Sequence, residues 1–192
     1  MSNIVLASSS VFRRSLLERL EVPFCCDSPD IDERQQLNET PADYVQRLSL
    51  EKAQAVATRH PNSLVIASDQ CSVLDQHIYG KPHNHETAIK QLQQSSGKRV
   101  SFLTGLCVMD THTQQYQLDL VPYYVDFRQL DDDEIERYLL KETPYQCAGS
   151  FKSEGLGVTL FKRMQGDDPT ALIGLPLIRL CEMLREFAVK LP

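Results

Sequence analysis

The apolar positions alternate between short β-branched runs and stretches at helical spacing. Ile4 to Ala7 reads as a short buried strand. Ser10 is suited to cap a helix, and Phe12, Leu16, Leu17 and Leu20 recur behind it three and four residues apart. Pro23 ends that helix, and the polar segment from Cys25 to Thr40 reads as loop. Thr40-Pro41 opens a long helix reaching about Arg59, with proline in the first turn, where its missing N–H costs nothing. Leu64 to Ala67 is the next strand, and it stops at a carboxylate and an amide, Asp69 and Gln70. Glu86 to Gln94 predicts helix, Val100 to Met109 and Tyr116 to Phe127 strands, and Asp131 to Lys141 helix. Cys147 to Arg163 reads as turn plus strand, and Leu175 to Phe187 as the closing helix. Alternating β and α elements predict one α/β domain over residues 1–192, built on a mixed sheet. The crevice beyond the strand ends is then the default ligand site.

Composition narrows the partners. The 192 residues are 42% hydrophobic and 24% charged, as in a globular domain, and the net charge is −6. A nucleic-acid polymer needs a basic face, so it is excluded as the main partner; a small nucleotide gripped by a few local cations is not. The six cysteines form no C-x-x-C pair and no zinc spacing, which predicts buried reduced thiols and a cytoplasmic location. The N-terminus lacks a basic signal-peptide region, and no stretch approaches membrane-spanning length.

Three segments carry candidate chemistry. In "LASSSVFRR" a strand runs into a helix N-terminus, where free N–H groups favour an anion. Ser8 and Ser10 can donate hydrogen bonds there, and Arg13 or Arg14 can grip a phosphate. A capped amphipathic helix with solvated arginines is the competing reading. "PDIDER" crowds Asp30, Asp32 and Glu33, oxygens that suit Mg²⁺ or Mn²⁺, against the plainer reading of a solvated turn. Asp69, at the end of an apolar strand, either caps a turn or serves a site, and Gly80-Lys81-Pro82 holds a lysine in a rigid turn nearby in sequence. There is no P-loop and no G-x-G-x-x-G. His83-Asn84-His85 reads as solvated histidines, and Asp131 to Glu134 as acids at a helix start.

The segments "LASSSVFRRSLLERL", "DIDE", "LEKA", "IASDQ", "GKP", "FLTGL", "CAGSFKSEGLG" and "IGLPL", in this order from Ile4 to about Leu184, resemble the Maf family of nucleotide pyrophosphatases. Phe12 before the two arginines, Gln70 after Asp69, and "SFKSEG" resemble the branch that acts on 7-methyl-GTP, although Phe12 stands where that branch tends to have Trp, and Val11 where the family usually has Pro. The resemblance implies an elongated, two-lobed, inosine triphosphatase-like α/β fold with a central mixed sheet and a deep cleft. It implies hydrolysis of a nucleoside triphosphate to monophosphate and diphosphate with Mg²⁺, Mn²⁺ or Co²⁺, and a homodimer. By motif, Asp69 becomes the catalytic proton acceptor and, with Glu33, the metal ligand. Ser8, Ser10, Arg13, Arg14, Lys52 and Lys81 fall around the triphosphate, and Phe12, Gln70 and Glu154 at positions linked to base choice. Phe12 could instead pack on the core beside Leu16, and Lys152 could pair with Glu154 or reach the phosphates. The alternatives are a different base preference, such as dTTP and UTP, and a non-catalytic nucleotide-binding regulator of cell division.

Overall fold

A computed structural model describes residues 3–191. Among the described residues, seven strands form one mixed sheet in the order β2-β1-β3-β5-β6-β7, with β4 paired to β3. β1 (Asn3–Leu6) lies parallel to both β2 (Phe24–Cys26) and β3 (Ser63–Leu74). The rest is antiparallel: β3 with β4 (His77–Tyr79), β3 with β5 (Arg99–Asp110), β5 with β6 (Tyr116–Phe127), and β6 with β7 (Phe161–Gln165). The helices are α1 (Val11–Glu18), α2 (Pro41–Ala57), α3 (His85–Ser95), α4 (Asp132–Glu142) and α5 (Leu177–Glu186).

Local chemistry explains most boundaries. Ser10, Thr40, Asn84 and Asp131 cap their helices by accepting a hydrogen bond from the N–H three residues on. Pro41 occupies the first turn of α2. The acids at 132–134 occupy the first turn of α4, as its dipole favours.

The strand that was expected to stop before Asp69 instead runs on to Leu74, through Ser68, Asp69 and Gln70. The polar residues interrupt the apolar run because the sheet divides there. β1 leaves β3 at Ile66 and β4 joins it only at Ser72, while β5 stays paired along the whole stretch. The three-residue strands β2 and β4 are too short to register in the hydrophobic pattern. The segment expected as turn plus strand after Cys147 holds two 3₁₀ turns, Ala148–Ser150 and Leu156–Leu160, before β7.

Apolar packing falls into two lobes. Around β1, α1, α2, α5 and the first half of β3 sit Leu6, Leu17, Ile66, Leu180 and Val56. Around α3, α4 and the far halves of β5 and β6 sit Leu92, Phe102, Val125, Leu139 and Phe151. The division of the sheet lies between them.

All six cysteines are free thiols, but not all are buried. Cys25 and Cys26 are exposed, because β2 is a short edge strand with solvent beside it. Among the described residues, no helix is long and apolar enough to cross a membrane.

Candidate active site

A cleft of about 670 Å³ opens where the sheet divides. The β1–α1 turn, Asp69 and Gln70 line it from one lobe. Gly80, Lys81 and His83, with residues 146–148 and 151–154, line it from the other.

Asp69 sits at its centre because α2 comes unusually close to the sheet. Asp69 pairs across the ladder with Gly105, where a Cβ would stand 2.4 Å from the Val45 carbonyl oxygen and 2.6 Å from Ser49 Oγ. The missing side chain lets Ser49 reach the strand. Its hydroxyl accepts from the Asp69 N–H at 2.9 Å and donates to the Val45 carbonyl at 2.7 Å. Less than one turn further along α2, the buried Lys52 extends Nζ to Asp69 Oδ1 at 2.6 Å and to Glu33 Oε1 at 2.8 Å. Both charges of the Lys52–Asp69 pair are thus largely withdrawn from water yet compensated.

Glu33 comes from the loop between β2 and α2. Tyr44 steadies that loop by donating its hydroxyl to the Glu33 carbonyl at 3.0 Å, and Arg47 does so by gripping Glu39. Burial, with Asp69 and Glu33 nearby, pushes the Tyr44 phenol up to about 12. Burial also raises the cleft thiol Cys147 to about 11, and burial with Asp69 raises the neighbouring Cys71 to about 12. Neither sulfur is a thiolate near neutral pH, so neither is an activated nucleophile.

The β1–α1 turn presents its donors to the cleft. Ser8 Oγ accepts from the Ser10 N–H at 3.1 Å, and Ser10 Oγ accepts from the Arg13 N–H at 3.4 Å. Both hydroxyls therefore keep their O–H for a ligand. Arg13 Nε donates to the Gly174 carbonyl at 2.8 Å, and no carboxylate lies within ion-pair distance of Arg13 among the described residues. Desolvation pulls its pKa down, against the opposing pull of Asp69 and Glu33. A guanidinium desolvated in this way beside a helix N-terminus is suited to an anion.

The structure gathers Ser8, Ser10, Phe12, Arg13, Glu33, Lys52, Asp69, Gln70, Lys81 and Glu154 around this one cleft. Arg14 does not join them. It is exposed and pairs with Glu18 at 3.1 Å, because the next position of a helix turns about 100° away from Arg13. Asp32 likewise turns outward to Arg34, so of the acidic loop residues only Glu33 faces Lys52. Phe12 lines the cleft and is absent from the cluster that holds Leu16. Lys152 also lines the cleft but pairs with Glu142, at 3.3 Å, and not with Glu154. His83 lines the cleft and is exposed, as the solvated reading expected, whereas the half-buried His85 bridges Tyr145 and Glu136.

Three contributors carried no sequence signal of their own. Ser49, Thr104 and Gly105 act through contacts 20 or more residues away. The glycine within "FLTGL" is the nearest thing to a clue.

The family described as Maf-like protein matches residues 3–187. The chain belongs to this family. A protein of Pseudomonas syringae pv. tomato named 7-methyl-GTP pyrophosphatase is 56% identical over the full length of both chains. A protein of the same name from Pseudomonas aeruginosa is 53% identical over the full length of both. Another from Colwellia psychrerythraea is 49% identical over 98% of this chain and 94% of its own. The fold is also that of the Ham1 protein of Staphylococcus aureus, with a TM-score of 0.52 at 15% identity over 98% of this chain and all of that one. A HAM1 protein from Coxiella burnetii gives 0.53 at 17% identity, over 97% and 100%. This Maf-like cleft therefore lies in a mixed α/β architecture shared well beyond close sequence relatives.

Proposed function

We propose that the cleft hydrolyses 7-methyl-GTP to 7-methyl-GMP and diphosphate, and so limits incorporation of the modified nucleotide. The observation that carries this reading is the buried Asp69–Lys52 pair, joined by the exposed Glu33, facing a desolvated Arg13 that has no carboxylate partner among the described residues, across a nucleotide-sized cleft. The names of relatives 49 to 56% identical supply the base.

Phosphoryl transfer is governed by placement and charge. Arg13, Lys52 and Lys81 bring three cations to one cleft in a chain of net charge −6. With the serine hydroxyls and the α1 N-terminus, they hold the triphosphate. A water adds its oxygen to the α-phosphorus, the α–β bridging oxygen leaves with the diphosphate, and Asp69 takes the water's proton.

Asp69 and Glu33 already converge on one cation, Lys52 Nζ. Two carboxylates completed by phosphate oxygens are a donor set that fits Mg²⁺ or Mn²⁺, and Co²⁺ is the third candidate. When bound there, such an ion supplies Lewis-acid neutralisation of the phosphate oxygens.

Methylation at N7 leaves the guanine ring cationic. Phe12 offers its face to that ring, and the exposed carboxylate of Glu154 on the rim favours it over a neutral base. A single domain, a homodimer and a cytoplasmic location complete the proposal.

The test is diphosphate release from 7-methyl-GTP, GTP, dTTP and UTP, each with Mg²⁺ and with Mn²⁺. The proposal expects 7-methyl-GTP to be the strongly preferred substrate. Preference for dTTP and UTP would keep the chemistry and overturn the base assignment. Tight nucleotide binding with no release from any of the four would favour the regulatory alternative.

A further inference from the structure

Gln70 and Asp69 are neighbours on β3, so their side chains leave opposite faces of the sheet. On the Gln70 face lies the 3₁₀ turn Ala171–Ile173. Gln70 Nε2 donates to the Ala171 carbonyl at 2.6 Å, to the Leu172 carbonyl at 3.2 Å and to Thr104 Oγ1 at 2.9 Å. Thr104, fully buried and opposite Gln70 on β5, spends its own proton on the Ala171 carbonyl at 3.0 Å. Two of these acceptors are carbonyl oxygens, and the third is a hydroxyl whose proton is already used. Turning the amide over would set its oxygen against all of them.

The amide can therefore stand only one way. Its nitrogen faces the turn and its oxygen faces away. Oε1 has no partner among the described residues, yet no buried polar side-chain atom there is left unsatisfied, so Oε1 is open to solvent in the cleft that Gln70 lines. This is a fixed, neutral, acceptor-only point. It repels phosphate oxygens, which are themselves acceptors, and pairs with a hydrogen-bond donor.

We propose that Thr104 and the Ala171–Leu172 carbonyls lock Gln70 as an obligate acceptor that selects a donor on the nucleoside half of the substrate. This deepens the reading of the cleft as a nucleotide pyrophosphatase and rests on it. The donor comes either from the base, whose guanine edge carries N–H groups, or from the ribose 2′-hydroxyl. Thr104 is a positioning residue: it touches no substrate and acts through the Gln70 amide.

The experiment compares kcat/KM for 7-methyl-GTP, 7-methyl-ITP and 2′-deoxy-7-methyl-GTP in wild type, Gln70→Met, Thr104→Val and Thr104→Ser. In wild type, one of the two analogues should be used about tenfold less well, the worth of one hydrogen bond. The affected analogue names the source, base or ribose. Gln70→Met should bring that ratio close to one, Thr104→Val should lower it partway, and Thr104→Ser should keep it. Equal losses on all three substrates, or a wild type indifferent to both analogues, would overturn the proposal. If Gln70→Met does not fold, the contrast between the valine and serine variants decides alone.

The lock is also read without turnover. The side-chain amide protons of Gln70 should exchange slowly with solvent in wild type and Thr104→Ser, and faster in Thr104→Val. A wild type that hydrolyses none of these nucleotides but shows the slow amide would overturn the pyrophosphatase reading and leave the lock standing. Fast exchange in wild type would overturn the lock itself.

Discussion

The two faces of β3 at residues 69 and 70 solve different problems with neighbouring side chains. On the α2 face, Lys52 pairs at short range with both Asp69 and Glu33, and Ser49 accepts from the Asp69 N–H. On the face of the 171–174 segment, Ser68 and Gln70 meet backbone carbonyls and a threonine, and every group is neutral. Arg13 bridges the two environments: Gly174 anchors it on the neutral face, while Asp69 and Glu33 act on its charge. The strand's two-residue period puts the charged residue at 69 and the neutral amide at 70 on opposite faces.

Gly105→Ala attacks the charged face most severely. The added Cβ meets the α2 backbone at 2.4 Å and must push Val45, Ser49 and Lys52 away from Asp69. Activity should fall about a hundredfold and stability by about 1 to 3 kcal/mol, measured by steady-state kinetics and denaturant unfolding. An active, equally stable variant would show that the close approach of α2 does not hold Asp69 in place.

Phe12→Ala sharpens the recognition side. Because Phe12 stands outside the core clusters, its loss should leave stability nearly unchanged. The preference for 7-methyl-GTP over GTP should drop about 2- to 30-fold, the range of one cation–π contact, in a competition assay. A large fall in melting temperature with unchanged preference would return Phe12 to the core.

The smallest effect concerns acid. Asp27, at the start of the loop that carries Glu33, is held down from its ordinary 3.8 to about 2 by hydrogen bonds from Arg59 and then His60. A depressed carboxylate contributes stability that is full above its unfolded value and is lost as pH falls through about 2. Wild type should therefore lose stability between about pH 4 and pH 2 more steeply than Asp27→Asn, compared by thermal unfolding across that range.

Much of the framework was legible in the chain because it is local. Caps at Ser10, Thr40 and Asp131 announce their helices, and Tyr116 to Phe127 reads as the strand it is. The motif residues Arg13, Glu33, Lys52, Asp69 and Lys81 do converge on one cleft. What stayed hidden depends on partners distant in sequence. Asp69 read as a strand end because polar side chains facing a cleft resemble the polar residues of a turn, and only the ladder to β5 shows that β3 continues. Arg13 and Arg14 read as equivalent until the helix fixed which of them faces Gly174. Lys152 could have paired with Glu154, but α4 places Glu142 beside it. Thr104 is an ordinary strand residue until the turn 67 residues away closes over it.

The central claim is that Asp69 removes the proton from the attacking water in a cleft built for a triphosphate. Diphosphate release from 7-methyl-GTP by wild type and Asp69→Asn, with nucleotide binding measured in parallel, tests it most directly. The account predicts a loss of about 10² to 10⁴ in kcat with the nucleotide still bound and the fold intact. An Asp69→Asn enzyme that turns over within a few-fold of wild type would contradict it.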